Sequence, residues 1–157
     1  PAVKEKISIP LIAAGGIATG WAMLAVMVLG ADGVQVGSRF VASNEASSHP
    51  LFKQKVVEAG EGATQLTLKE LAPVRLIKNK FYNDIQNAYA DCATVEELKS
   101  LLGRARAKKG MFEGDLEEGE LEIGQVAAII NEIKPAAQIV LDMMEEFNLA
   151  KAEVKHL

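Results

Sequence analysis

The sequence predicts an α/β protein that begins with a parallel strand–helix–strand unit, and three observations lead there. Residues 7–31 carry no Asp, Glu, Lys or Arg, yet Pro10, Gly15, Gly16 and Gly20 interrupt them. The run therefore divides into a β-rich piece and a piece with helical period. A second short apolar run, Gly33 to Gly37, follows that helix closely, which is the layout of a parallel βαβ crossover. Everything downstream reads as helix, with no further strand to complete a sheet.

In order, the first strand is expected over Ile7 to Ala13. It is nearly continuous apolar residue, the mark of a strand buried on both faces, although Pro10 cannot donate a ladder hydrogen bond. Gly15 to Gly20 forms a turn. Trp21 to Leu29 forms a helix, closed by Gly30 in the left-handed C′ position, and Gly33 to Gly37 forms the second strand. Ser47-Ser48-His49-Pro50 offers an N-cap with proline at the first helical position, so a helix runs to about Gly60. Gly60-Glu61-Gly62 marks a boundary.

Thr67-Leu68-Lys69-Glu70 and Thr94-Val95-Glu96-Glu97 both have capping-box spacing. The second opens a helix through Leu98, Leu101 and Leu102 that stops near Gly110. Gly114 to Gly119 is an acidic loop. Gln125 to Ile133 and Ala136 to Phe147 read as two helices meeting at Pro135, with Ile139, Met143 and Phe147 forming an inward stripe. The tail from Ala150 is polar, and His156 reads as exposed.

Composition narrows the function classes. The chain of 157 residues is 49% hydrophobic and 24% charged, an ordinary globular balance. A net charge of -4 supplies no positive field for nucleic acid or an anionic membrane. Cys92 is the single cysteine, which excludes an internal disulfide and paired-cysteine metal sites and fits a reducing cytosol; it reads as a small, at least half-buried apolar residue. Residues 7–31 have the length of a membrane span, but their breakers rule out one continuous helix. With no signal-peptide pattern, a cytoplasmic protein is expected. Two strands without partners mark the chain as a piece of a larger sheet.

The glycines point to phosphate. A turn with two adjacent glycines at the end of a parallel strand lets backbone N–H groups approach an anion, and the following helix N-terminus adds its positive end. In (β/α) barrels such a site is often built by the loops after the last two strands. Here those loops hold Gly15 and Gly16, then Gly37 and Ser38, whose hydroxyl adds a donor. Either turn alone is also an ordinary steric solution; the pair is more specific.

Other polar residues have two readings each. His49 caps its helix or packs a loop. Arg39 approaches the phosphate or makes a structural ion pair, and Gln35 is a hydrogen-bonded core group. Arg104, Arg106, Lys108 and Lys109 close a helix as a solvated basic face, or form a docking surface for an acidic partner.

Ile9-Pro10-Leu11-Ile12-Ala13-Ala14-Gly15-Gly16-Ile17 and Gly30-Ala31-Asp32-Gly33-Val34-Gln35-Val36-Gly37-Ser38-Arg39-Phe40 resemble the last two strands of the nitronate monooxygenase family. That family, formerly the 2-nitropropane dioxygenases, includes the flavin-dependent type II enoyl-acyl-carrier-protein reductases. Ser48-His49-Pro50-Leu51-Phe52-Lys53, Val74-Arg75-Leu76-Ile77-Lys78-Asn79 and Gly119-Glu120-Leu121-Glu122-Ile123-Gly124-Gln125 are similar to family segments in the same order.

The resemblance implies the C-terminal part of a TIM (β/α)8 barrel that binds FMN. Residues 1–62 would be its last two βα units, 63–122 an inserted helical substrate domain, and 123–157 helices returning to the barrel. Gly15, Gly16, Gly37 and Ser38 would hold the FMN phosphate, with Gln125 near the flavin. No catalytic residue is assigned within this chain; the family's catalytic histidine belongs to the N-terminal strands. The parent enzyme would be a homodimer acting on a small-molecule or acyl-carrier-linked substrate, with NAD(P)H as reductant in the reductase branch and oxygen as oxidant in the monooxygenase branch. Two alternatives stand beside it: a nucleotide-binding barrel of the inosine-monophosphate dehydrogenase type, and a non-catalytic helical interaction module.

Overall fold

The computed structural model describes residues 1–156, and the expected exposure of His156 lies outside the side chains it describes. The βα unit forms as the sequence indicates. β1 (Ile12–Ala14) pairs in parallel with β2 (Gly33–Gln35) in the register Ile12 to Gly33, Ala13 to Val34 and Ala14 to Gln35. Between them runs α1 (Gly20–Val28), which ends on Gly30 at φ +105. The Gly30 N–H donates to Met27 O and the Ala31 N–H to Val26 O, the paired bonds that close a helix on a left-handed residue.

Two expectations for these strands are corrected. β1 starts at Ile12 rather than Ile7, consistent with the missing donor at Pro10. Nor is β1 buried on both faces: Ile12 is 54% exposed. Ala13 and Val34 pack against Ile17, Ile139 and Met143, while the other face stays open, because a two-stranded sheet brings no strands to cover it.

α2 (Ser38–Val41) is a single turn, and α3 (Pro50–Val57) begins at Pro50 as expected. The prediction that no further strands follow is wrong. β3 (Thr64–Thr67) and β4 (Val74–Ile77) form an antiparallel hairpin. The segment after Gly119 lies alongside β4 through Ile77 N–H to Leu121 O and Ile123 N–H to Arg75 O. Thr67 therefore ends a strand instead of capping a helix, and Leu68 turns the chain at φ +52 and buries its side chain. β4 joins two cores from opposite faces, as a strand's alternation requires. Leu76 packs with Leu68, Phe81, Ile85 and Leu98, and Ile77 with Phe52, Val56, Leu121 and Ala127.

The helix opened by the Thr94 capping box is α5 (Val95–Leu102), preceded by α4 (Lys80–Ala90). It does not run to Gly110. Gly103 and Ala105 both take positive φ, and α6 (Arg106–Met111) starts anew. Gln125–Ile129 is a 3-10 turn rather than a helix to Ile133. α7 (Ala136–Glu153) continues past Phe147 into the expected polar tail. Its stripe holds as Ile139 and Met143, which are buried, and Phe147, which is half-buried.

α7 crosses α1 at Gly20. A Cβ there would fall on Phe147 N and Met143 O, and 2.6 Å from the Glu146 Cβ. Gly20 is thus the contact point of two helices as well as a break in the apolar run.

Candidate functional site

The four residues singled out for phosphate meet in one hollow of about 200 Å³, walled by Ala14, Ile17 and Val126. Gly15 and Gly16 follow β1 at φ +89 and +71, a path that costs other L-residues roughly 1–2 kcal/mol each. Apart from the adjoining residues, no atom of the described residues lies within 4 Å of where either Cβ would stand, so the glycines meet a backbone requirement and leave open space over the turn. Gly37 and Ser38 begin α2, where N–H groups have no preceding turn to bond. The hollow is smaller than the roughly 300–1,000 Å³ of sites that enclose a whole ligand. It suits one anionic end of a larger molecule.

Ser38 also ties the site to the far end of the chain. Its Oγ accepts from the Gly124 N–H at 3.1 Å, and a Cβ on residue 124 would stand 2.8 Å from that oxygen. With a lone pair so engaged, the hydroxyl proton is free to donate into the hollow. Gly124 brings Val126 into the wall. The next residue, Gln125, is exposed and lines a separate hollow with Thr64, Arg75 and the Gly60–Gly62 turn, so the structure does not bring Gln125 together with the other four.

The expected contribution of the helix after the first turn is corrected. The N-terminus of α1 is already filled: Thr19 Oγ1 accepts from the Ala22 N–H at 3.1 Å, and Glu146 Oε2 from the Gly20 N–H at 2.8 Å. It opens instead onto a polar hollow of about 260 Å³ with Arg39, Lys134 and Asp142. There Lys134 pairs with Glu132 and Asp142, each at 2.7 Å. Its bonds to Asp142 and then Glu132 hold the ammonium above its ordinary pKa, and the Lys134 bond holds Asp142 below the carboxylate range. Among the described residues Arg39 neither meets the phosphate hollow nor makes an ion pair; its Nη1 donates to the Glu132 carbonyl at 3.2 Å.

The remaining candidates resolve as follows. His49 caps α3, its Nδ1 accepting from the Leu51 N–H at 3.2 Å. Gln35 is exposed at the rim of the phosphate hollow and is no core group. Cys92 is exposed at φ +57 in the turn that ends α4, not half-buried. The basic cluster does not close one helix, and most of it is internally neutralised: Arg106 pairs with Glu118, Lys108 with Glu113 and Lys109 with Asp115. Arg106 also lies 4.3 Å over the Phe81 ring. The docking reading loses the net positive field it needed.

Two groups near the site were missed by sequence reasoning. Arg75 and Glu122 line a hollow of about 420 Å³ that shares Gly37 and Ser38 with the cradle. Their signal was the alternation Val74-Arg75-Leu76 and Leu121-Glu122-Ile123, apolar residues flanking one polar side chain as on a half-buried strand.

The described residues contain no helix long and apolar enough to cross a membrane, and no group of acidic, His or Cys side chains that could hold a metal ion.

Residues 1–146 match the family model described as nitronate monooxygenase. A probable nitronate monooxygenase of Bacillus subtilis is 31% identical over 148 residues, which is 93% of this chain and 42% of that protein. One from Staphylococcus saprophyticus is 32% identical, over 88% of this chain and 39% of that protein. Among solved structures, FabK from Thermotoga maritima superposes with a TM-score of 0.87 at 38% identity, over 99% of this chain and 49% of that one. A nitroalkane oxidase from Streptomyces ansochromogenes gives 0.73 at 30% identity, over 97% of this chain and 43% of that one. The chain thus spans less than half the length of each. With these barrel enzymes as its likenesses, β1, α1 and β2 are consecutive units of a (β/α)8 barrel.

Proposed function

This chain belongs to the nitronate monooxygenase family, and from that premise we propose that it carries the phosphate cradle of an FMN-dependent oxidoreductase. The observation that carries the reading is the convergence of Gly15, Gly16, Gly37 and Ser38 on one small open hollow at the ends of two parallel strands. These residues fit a phosphomonoester: backbone N–H groups with no side chain over them, one hydroxyl, and no carboxylate among the lining residues. When bound, FMN supplies the redox chemistry. This chain's part is to anchor and orient it. Ser38 anchors while holding Gly124, so the cofactor's phosphate and the return of the chain to the barrel share one hinge point. The catalytic acid or base is supplied from outside these residues. Residues 63–122 serve as a substrate lobe and 123–157 as the return to the barrel; a cytoplasmic homodimer completes the reading.

Of the two chemistries open to the family, the reductase is favoured. The likeness to FabK exceeds that to the nitroalkane oxidase in both identity and TM-score. The substrate is then an enoyl thioester on an acyl carrier, with NAD(P)H as reductant. The full-length protein, mixed anaerobically with NADPH or NADH, should lose its flavin absorbance; in a separate assay in air, without nicotinamide, it should take up no oxygen when given a nitronate. Oxygen uptake driven by nitronate with no bleaching by either nicotinamide would overturn the reductase assignment and leave the monooxygenase.

A further inference from the structure

Arg75 is placed for an anion that none of the described residues provides. It is the second residue of β4, half-buried, and its Nη1 donates to both the carbonyl and the hydroxyl oxygen of Thr64 at 3.2 Å. Those two bonds fix the guanidinium. Among the described residues no carboxylate reaches ion-pair distance of it, whereas Arg106, the other half-buried arginine of this lobe, has Glu118. The Nε–Nη2 edge of Arg75, the fork that matches two oxygens of one oxyanion, has no hydrogen-bond partner among the described residues.

The position of Arg75 says what kind of anion would arrive. It forms part of the wall of the hollow of about 420 Å³ that adjoins the cradle through Gly37 and Ser38, and also of the hollow of about 290 Å³ under Gln125. The larger is within the size range of whole-ligand sites, too roomy for a small nitronate alone. Each hollow has one carboxylate, Glu122 in the first and Glu61 in the second. These repel an anion except where two direct hydrogen bonds at the guanidinium edge outweigh more distant like charges.

We infer that Arg75 is the anion-recognising residue of a second subsite next to the cradle, and that it binds the phosphate ester of the molecule that meets the cradle-held ligand. The inference rests on the phosphate-cradle reading above. A phosphate ester of that kind has two sources, a nicotinamide nucleotide or the pantetheine arm of an acyl carrier.

The test uses the full-length flavin-loaded protein and its R75Q and R75K variants. Adenosine 2′,5′-bisphosphate and pantetheine 4′-phosphate are titrated separately by calorimetry, with flavin content measured on each protein. One probe should bind the wild type, its Kd rising at least tenfold in R75Q and several-fold in R75K, because an ammonium keeps the charge but not the fork. Flavin content should not change. The probe affected identifies the source. Equal Kd values in wild type and R75Q, or no binding of either probe to the wild type, would overturn the inference. A wild type that carries no flavin would defeat the cradle reading instead, and the titration still reads Arg75 by itself.

Discussion

Glu120 lies 8% exposed between Gly119 and the strand-like Leu121–Ile123, and burial, aided by the nearby Glu122 charge, pushes its carboxyl up to about 7; Arg106 pulls weakly the other way. Replacing it with Gln isolates that cost. An unfolded glutamate titrates at the ordinary 4.5, so between pH 4.5 and 7 the folded chain holds a proton that the unfolded chain has shed. Stability must therefore fall as pH rises through this window, and flatten above it. At about 1.4 kcal/mol per pH unit, the difference between folded and unfolded values amounts to roughly 3 kcal/mol. E120Q has no proton to lose. Urea unfolding of both proteins at pH 5, 6, 7 and 8 should show curves that nearly coincide at pH 5 and diverge until E120Q is more stable by roughly 2–3 kcal/mol at pH 8. Parallel curves across this range would refute the reasoning, since they would mean that Glu120 keeps an ordinary carboxyl in the folded chain.

Three further outcomes follow from the geometry. G16V places a β-branched residue at φ +71 with its side chain in the open space over the turn; flavin retained on purification should fall at least tenfold, which absorbance of the protein reads directly. S38A removes both a donor to the hollow and the acceptor of the Gly124 N–H, so it should weaken flavin binding and lower stability by about 1 kcal/mol, while S38T, which keeps the hydroxyl, should restore most of both. G20A forces α1 away from α7, because the new Cβ has no room beside Phe147 and Met143. Its denaturation midpoint should correspond to a loss of roughly 1–3 kcal/mol, offset by less than about 1 kcal/mol of helix propensity; an unchanged midpoint would contradict the crossing.

What was legible in the sequence was what is decided locally. The Gly30 closure of α1, the Thr94 capping box, the His49-Pro50 start of α3 and the β1–β2 unit each depend on residues a few positions apart. The hairpin was missed because Thr67 has capping spacing to Glu70, whereas its pairing with Val74, backed on the far side of β4 by Leu121–Ile123 from far downstream, decides for a strand. The site divides along the same line. Glycine spacing located the cradle, but the partners that shape it come from far along the chain: Gly124 on Ser38, and Val126 in the wall. The misplacement of Gln125 has the same origin, because Gly124 turns toward Ser38 while its neighbour faces the opposite hollow. Burial of the strands was over-read, since continuous apolar sequence reports the sheet a strand is made for and β1 has only β2 beside it.

The most direct measurement of the central claim is a crystal structure of the full-length protein grown with FMN. The cofactor's phosphate should lie in the hollow of Gly15, Gly16, Gly37 and Ser38, with oxygens about 2.7–3.2 Å from their backbone nitrogens and from Ser38 Oγ. Flavin bound with its phosphate elsewhere, or that hollow closed by a side chain in the loaded protein, would contradict it.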